Sequence, residues 1–141
     1  MQSQFKTASI DSISQLYSTA KTDSSKVNIA LSLSYNYALL NIDSAIKYAN
    51  EAVELANSLN NKKLVLIAKY ALAQALAERD IPASMKIYYE ILELASKLDK
   101  RPLIASCFTQ IGLLYLYTGS DEKYIYYLRK SKSIYLSLIH I

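Results

Sequence analysis

Nucleophilic catalysis needs a base beside the nucleophile. This chain has one histidine, His140, next to its last residue, and one cysteine, Cys107. Cys107 falls in an apolar stretch and reads as a small buried filler, the usual fate of a free cysteine. His140 reads as a residue of a frayed tail. One histidine and one cysteine do not make a zinc site of the usual type without several carboxylates. The carboxylate pairs, Glu51 with Glu54 and Glu90 with Glu93, stand three residues apart near lysines. That spacing reads as solvated helix faces with i,i+4 support. No glycine-rich loop offers backbone amides to a phosphate. The residues therefore predict no catalytic site, no cofactor and no metal, which leaves binding as the chain's work.

Charge narrows the partners. Sixteen Lys and Arg stand against 12 Asp and Glu, a formal net charge of +4. The basic residues Lys62, Lys63, Lys97, Lys100, Arg101, Lys123, Arg129, Lys130 and Lys132 read as interleaved with acids and placed mostly at helix ends, where they favour the C-terminal dipole. Nucleic acid would want a clustered basic stripe or a groove-reading motif, and neither is present. No apolar run approaches the roughly 20 residues of a membrane span, so no direct membrane insertion of this chain is expected. The first ten residues, MQSQFKTASI, lack the apolar stretch of a signal peptide. Met1 is read as the start of an excised piece. A lone cysteine excludes an intrachain disulfide and leaves the redox compartment open.

The elements that position these residues are helices. The chain of 141 residues is 52% hydrophobic and 20% charged, which suits one domain with a real core and argues against disorder. Two Gly and two Pro are too few turn-formers for an all-β fold. Thirteen Tyr with no Trp and two Phe put amphipathic rings at helix seams, with hydroxyl tips toward water.

Self-alignment reveals a repeat. Ala45–Ala56 (AIKYANEAVELA) resembles Ser84–Ala95 (SMKIYYEILELA), and the register returns at Tyr124–Ser131 (YIYYLRKS), with spacings of 39 and 40. A steady period of this length marks a solenoid. Each unit also has an earlier half with helical spacing, as in Ala30, Leu33 and Tyr37 or Phe108, Ile111 and Tyr115. Turn signals separate the halves at Asn41-Ile42-Asp43, Asn60-Asn61, Asp80-Ile81-Pro82, Asp99 to Pro102 and Thr118 to Asp121. Pro82 and Pro102 suit first helical turns, and Ser120 suits an N-cap ahead of Asp121 and Glu122. The amphipathic stretch Ile10, Ile13, Leu16, Tyr17 and Ala20 adds a capping helix. About seven helices are predicted in an all-α fold.

The motifs resemble the tetratricopeptide (TPR) pattern: aromatic, two residues, Leu-Gly, two residues, Tyr, then spaced small and large positions. The third unit reads Phe108-x-x-Ile111-Gly112-x-x-Tyr115. The first reads Ala30-x-x-Leu33-Ser34-x-x-Tyr37, then Ala45 and Ala49. The second is more divergent, Ala68-x-x-Ala71-Leu72-x-x-Ala75, then Ser84 and Tyr88. Small Ser34 and Gly112 let the second helix of a hairpin approach the first, and Ala45 and Ser84 serve from the other side; Leu72 and Tyr124 depart from the pattern. The resemblance implies antiparallel hairpins stacked as a right-handed TPR solenoid. Its parts are an N-terminal capping helix (1–24) and repeats at 25–61, 62–100 and 101–141, in a fragment of a longer protein. The 40-residue period further resembles sensor regions of Bacteroidetes histidine kinases and related regulators, which implies an extracytoplasmic sensing role; a cytoplasmic location is the alternative.

Co-chaperone members of this family grip a terminal carboxylate with Lys, Asn and Arg. The inner face by alignment is Asn28, Leu31, Tyr35, Ala38 and Leu39, then Leu66, Lys69, Ala73, Leu76 and Ala77, then Ser106, Thr109, Leu113, Leu116 and Tyr117. Only Lys69 there is cationic, so no such clamp is expected. The candidate partner groove is Leu31, Tyr35, Lys69, Leu76, Leu113, Leu116 and Tyr117, a trough for an amphipathic helix or extended peptide. The alternative is that these side chains pack against neighbouring first helices. The last helix is apolar on more than one side, so Ile125, Leu128, Tyr135 and Leu138, with Ile134, Ile139 and Ile141 nearby, are the candidate docking edge. A following repeat, a linker or a second copy of the chain, giving a homodimer, would cover it; a frayed tail is the alternative. The expected function is a protein- or peptide-binding module of a signalling protein. An assembly scaffold and a cytoplasmic peptide-pheromone receptor are the alternatives.

Overall fold

A computed structural model of the chain describes residues 2–139, with side chains from Ile10 onward. Met1, His140 and Ile141 lie outside the described residues, and with them the expectations placed on His140 and Ile141. Seven helices make up the described chain: α1 (Gln2–Thr19), α2 (Asp23–Tyr37), α3 (Ile42–Ser58), α4 (Lys62–Leu76), α5 (Ile81–Lys97), α6 (Arg101–Tyr117) and α7 (Asp121–Ile139). No strand occurs among the described residues, so the fold is all-α, as composition and period require. The helices group into two compact units, one ending at Arg79 and one beginning at Asp80. The first holds α1–α4 and the second α5–α7.

Local chemistry sets the helix ends. The side chains of Thr22, Asn41, Asn61 and Asp80 accept from the backbone N–H groups of Ser25, Ser44, Leu64 and Ala83, which satisfies donors that a first turn leaves orphaned. Pro82 and Pro102 occupy first turns, where their missing N–H is not needed. At the other ends, Asn60 and Asp99 (both φ 51°) and Gly119 (φ 83°) adopt the left-handed conformation. The following amides of Asn61, Lys100 and Ser120 then reach back to the carbonyls of Ala56, Ala95 and Tyr115, closing each helix in the Schellman manner.

In the first unit α3 presents Ala45, Ala49, Ala52 and Ala56, all fully buried. Their small size lets α3 pack closely against both α2 and α4, and Ala52 and Ala56 join Val27, Ala30, Val65 and Ala68 in one cluster. The buried Ser34 hydroxyl donates to the Ala45 carbonyl at 2.8 Å, so the small-residue position of the motif makes the close approach expected of it. Tyr37 stacks on Tyr48 with centroids 5.7 Å apart, and Tyr17 meets Tyr48 edge-on at 5.9 Å. Two expectations change here. Glu51 is not simply solvated: it is half-buried and accepts from the Tyr17 hydroxyl at 2.7 Å. Leu16 is exposed although Ile10 is buried, because α1 packs only a narrow stripe.

In the second unit α6 buries Ala105, Cys107, Ile111, Gly112 and Leu114. A methyl at Gly112 would meet the Tyr124 carbonyl and the Tyr127 Cβ at 3.4 Å each, so α6 and α7 approach as closely as the motif predicts. Tyr115 stacks on Tyr127 at 5.6 Å, the counterpart of Tyr37 on Tyr48. The hydroxyls of Tyr89 and Tyr127 are 2.7 Å apart. Burial and this hydrogen bond raise Tyr89 well above the usual phenol range. The Lys123 ammonium lies 4.8 Å from the Tyr115 ring centroid, and that of Lys130 lies 4.8 Å from Tyr126 and 5.2 Å from Phe108. Tyr88 departs from the expected tyrosine pattern, being buried whole. Cys107 is buried as a filler, and burial pushes its thiol up to about 12.

Candidate binding groove

Between α2 and α4, within the first unit, lies an open cavity of about 360 Å³. Leu31, Tyr35, Ala38 and Leu39 line it from the α2 side, with Ile42 from the start of α3. Ile67, Tyr70, Ala71, Gln74 and Glu78 line it from the α4 side. Tyr35 and Leu39 are 81% and 82% exposed, so their apolar surface is uncommitted to the core. Ser34 also borders the cavity, but its hydroxyl is engaged with Ala45. Glu78 is the one ionised side chain among the lining residues, and next to it in sequence Arg79 pairs with Asp43 at 3.1 Å. The site is an apolar slot to which Tyr35, Tyr70, Gln74 and Glu78 bring polar groups.

Of the groove residues expected from sequence, Leu31 and Tyr35 line this cavity. Lys69 and Leu76 are half-buried on α4 and lie outside the lining. The α4 face is rotated by one residue from the alignment. Ile67, Tyr70, Gln74 and Glu78 stand where Leu66, Lys69, Ala73 and Ala77 were expected, while Leu66 and Ala73 are buried in the core. The available signal was the polar pair Gln74 and Glu78, which with Ile67 and Tyr70 forms a stripe at spacings of three and four. Leu113 is half-buried and Leu116 and Tyr117 are exposed on α6, in the second unit.

The expected docking edge divides. Leu128, Ser131, Tyr135 and Leu138 share one face of α7. That face is held against α6 by Ser131, which donates to the Ala105 carbonyl at 2.9 Å, and by the Tyr135 hydroxyl, 3.1 Å from Ser106. Ile125 lies outside that face and is exposed.

The model of the SusR N-terminal TPR domain family matches residues 2–79, the span of the first unit and its cavity. The chain belongs to that family. Among solved structures, a Rap protein complexed with Competence and Sporulation Factor superposes with a TM-score of 0.81 over 96% of this chain at 13% identity. The apo form of RapI superposes with a TM-score of 0.76 over 90% at 19% identity. The chain spans 40% and 47% of the lengths of these two proteins. At such identities the likeness establishes the shared TPR-like fold alone. No curated protein matches the chain.

Proposed function

We propose that this TPR-family chain is a non-catalytic protein- or peptide-binding domain, the sensing or interaction module of a larger signalling protein. Its first-unit cavity receives anchor side chains of an amphipathic helix or extended segment. The observation that carries the reading is the exposure of Tyr35 and Leu39 over an apolar slot. Core packing alone has no use for such residues, whereas a partner would remove their surface from water. Leu113, Leu116 and Tyr117 are a second contact patch in this reading. A receptor role draws support from a Rap protein of the same fold having been crystallised with a bound factor.

The test is recovery of partners from a native lysate with wild type, Tyr35→Ala and Ile67→Glu, read by quantitative mass spectrometry. Loss of the same proteins with both variants, at unchanged helicity, is the expected result. Equal recovery by all three would remove the cavity from the reading.

A further inference from the structure

The slot between α2 and α4 has two unlike ends. Both helices are joined to α3 by short turns, so each runs antiparallel to α3 and the two share one direction. The lining pairs off at one constant shift along the chain, from Leu31 with Ile67 at one end to Ile42 with Glu78 at the other. The bridge from Arg79 to Asp43, 3.1 Å long, joins the neighbours of that second pair and so sets Glu78 near Ile42 in space. Leu31 and Ile67 make the first end apolar. At the other end stand Gln74 and, one turn later, Glu78.

Charge at that second end is negative and uncompensated. Glu78 is exposed and enters no ion pair among the described residues. Arg79 follows it in the chain but is engaged with Asp43. Both α2 and α4 finish at this end, and neither has a basic residue in its last turn. The negative ends of two helix dipoles therefore add to the carboxylate. Lys26, Lys62 and Lys63 stand at the starts of the two helices, away from it. No lining residue is cationic.

We propose that the slot selects a basic segment: a peptide that sets apolar side chains against Tyr35, Leu39 and Ile67 and places a lysine or arginine at Glu78. This rests on the cavity being a peptide-binding slot and adds the chemistry of its ligand. The apolar body supplies affinity, and the acidic end fixes which way the segment lies. Gln74 offers its amide to the segment's backbone beside the cation. An acidic segment or a free carboxyl terminus is repelled at the same place, since the lining holds no cation to receive it. Attraction at so exposed a carboxylate is modest, so it chooses among ligands more than it holds them.

The probe is a displayed library of random short peptides, selected in parallel on the full chain and on Glu78→Lys. Wild type is expected to enrich lysine or arginine beside bulky apolar residues, and Glu78→Lys to enrich aspartate or glutamate there instead. A selected basic peptide, labelled with fluorescein and followed by anisotropy, should bind Glu78→Gln about three- to fivefold more weakly than wild type. Added salt should shrink that difference. Exchanging the peptide's basic residue for glutamate should reverse the order, with Glu78→Lys binding it better than wild type. Glu78 is exposed, and unchanged circular dichroism verifies that each variant folds. Selected peptides that need Tyr35 and Ile67 yet carry no basic residue would overturn the proposal and leave the cavity a peptide site. Peptides indifferent to Tyr35→Ala and Ile67→Glu, or no enriched peptide at all, would remove the peptide site as well. A wild-type dimer by light scattering that Glu78→Lys dissolves would make a second copy the occupant and refute the basic segment.

Discussion

Replacing Gly112 tests whether the small position of the third repeat is there for helix approach. Two terms oppose one another at this site. A glycine in a helix interior costs about 0.8–1.0 kcal/mol relative to alanine, so Gly112→Ala gains that amount if the methyl fits. The methyl would stand 3.4 Å from the Tyr124 carbonyl and the Tyr127 Cβ, and 3.7 Å from a Tyr124 ring carbon. Those are ordinary van der Waals separations, so no backbone shift is required and the helix term wins. Gly112→Ala should stabilise by about 0.5–1 kcal/mol, raising Tm by roughly 2–3 °C for a chain of this size. Gly112→Leu sends further carbons along the same path into the two tyrosines, and overpacking of that kind costs about 1–3 kcal/mol. Its Tm should fall by roughly 3–10 °C. Thermal and urea unfolding followed by far-ultraviolet circular dichroism measure both changes. An alanine variant that melts several degrees below wild type would mean that α6 and α7 lie closer than described. A leucine variant as stable as alanine would remove close approach as the reason for a small residue at this position.

Other outcomes follow from the same geometry. Burial and the hydrogen bond to Glu51 push Tyr17 up to about 12 from the ordinary 10.0. An acid raised on folding keeps its proton after the unfolded chain has lost it. The stability it confers is therefore complete below pH 10 and declines as pH rises toward 12. Tyr17→Phe should lower stability at pH 8 by about 0.5–1.5 kcal/mol and flatten the alkaline decline; urea midpoints at pH 8, 10 and 11 with equal slopes for both proteins would contradict this. The Asn61 side chain accepts from the Leu64 amide at 3.1 Å, so Asn61→Ala should cost about 1 kcal/mol. An unchanged urea midpoint would show that water satisfies that amide equally well.

Much of this architecture is local in origin. Asn41, Asn61 and Asp80 start the next helix through their own side chains, and Asn60, Asp99 and Gly119 supply left-handed turns. Such effects operate over a few residues, which is why seven helices and the turns from Asn41 onward were legible in the chain. Ser34 and Gly112 mark in the sequence where helices approach, and the structure puts each at a seam.

The tertiary structure alone decided how each helix is rotated about its axis. One residue of register turns a face by about 100°, and α4 has apolar residues on both sides of that turn: Leu66 and Ala73 on one, Ile67 and Ala71 on the other. Only the packing of α4 against α2 and α3 selects which set is buried and which lines the cavity. The same holds for α7, where Leu128 and Leu138 looked as available for docking as Ile125. Hydrogen bonds from Ser131 and Tyr135 to α6 turn the former inward, and they leave Ile125, Arg129, Lys132, Leu136 and Ile139 facing out. Composition and period establish a helical repeat. Which of its surfaces are free to bind depends on contacts between helices distant in sequence, each a sum of small packing terms that no single residue type encodes.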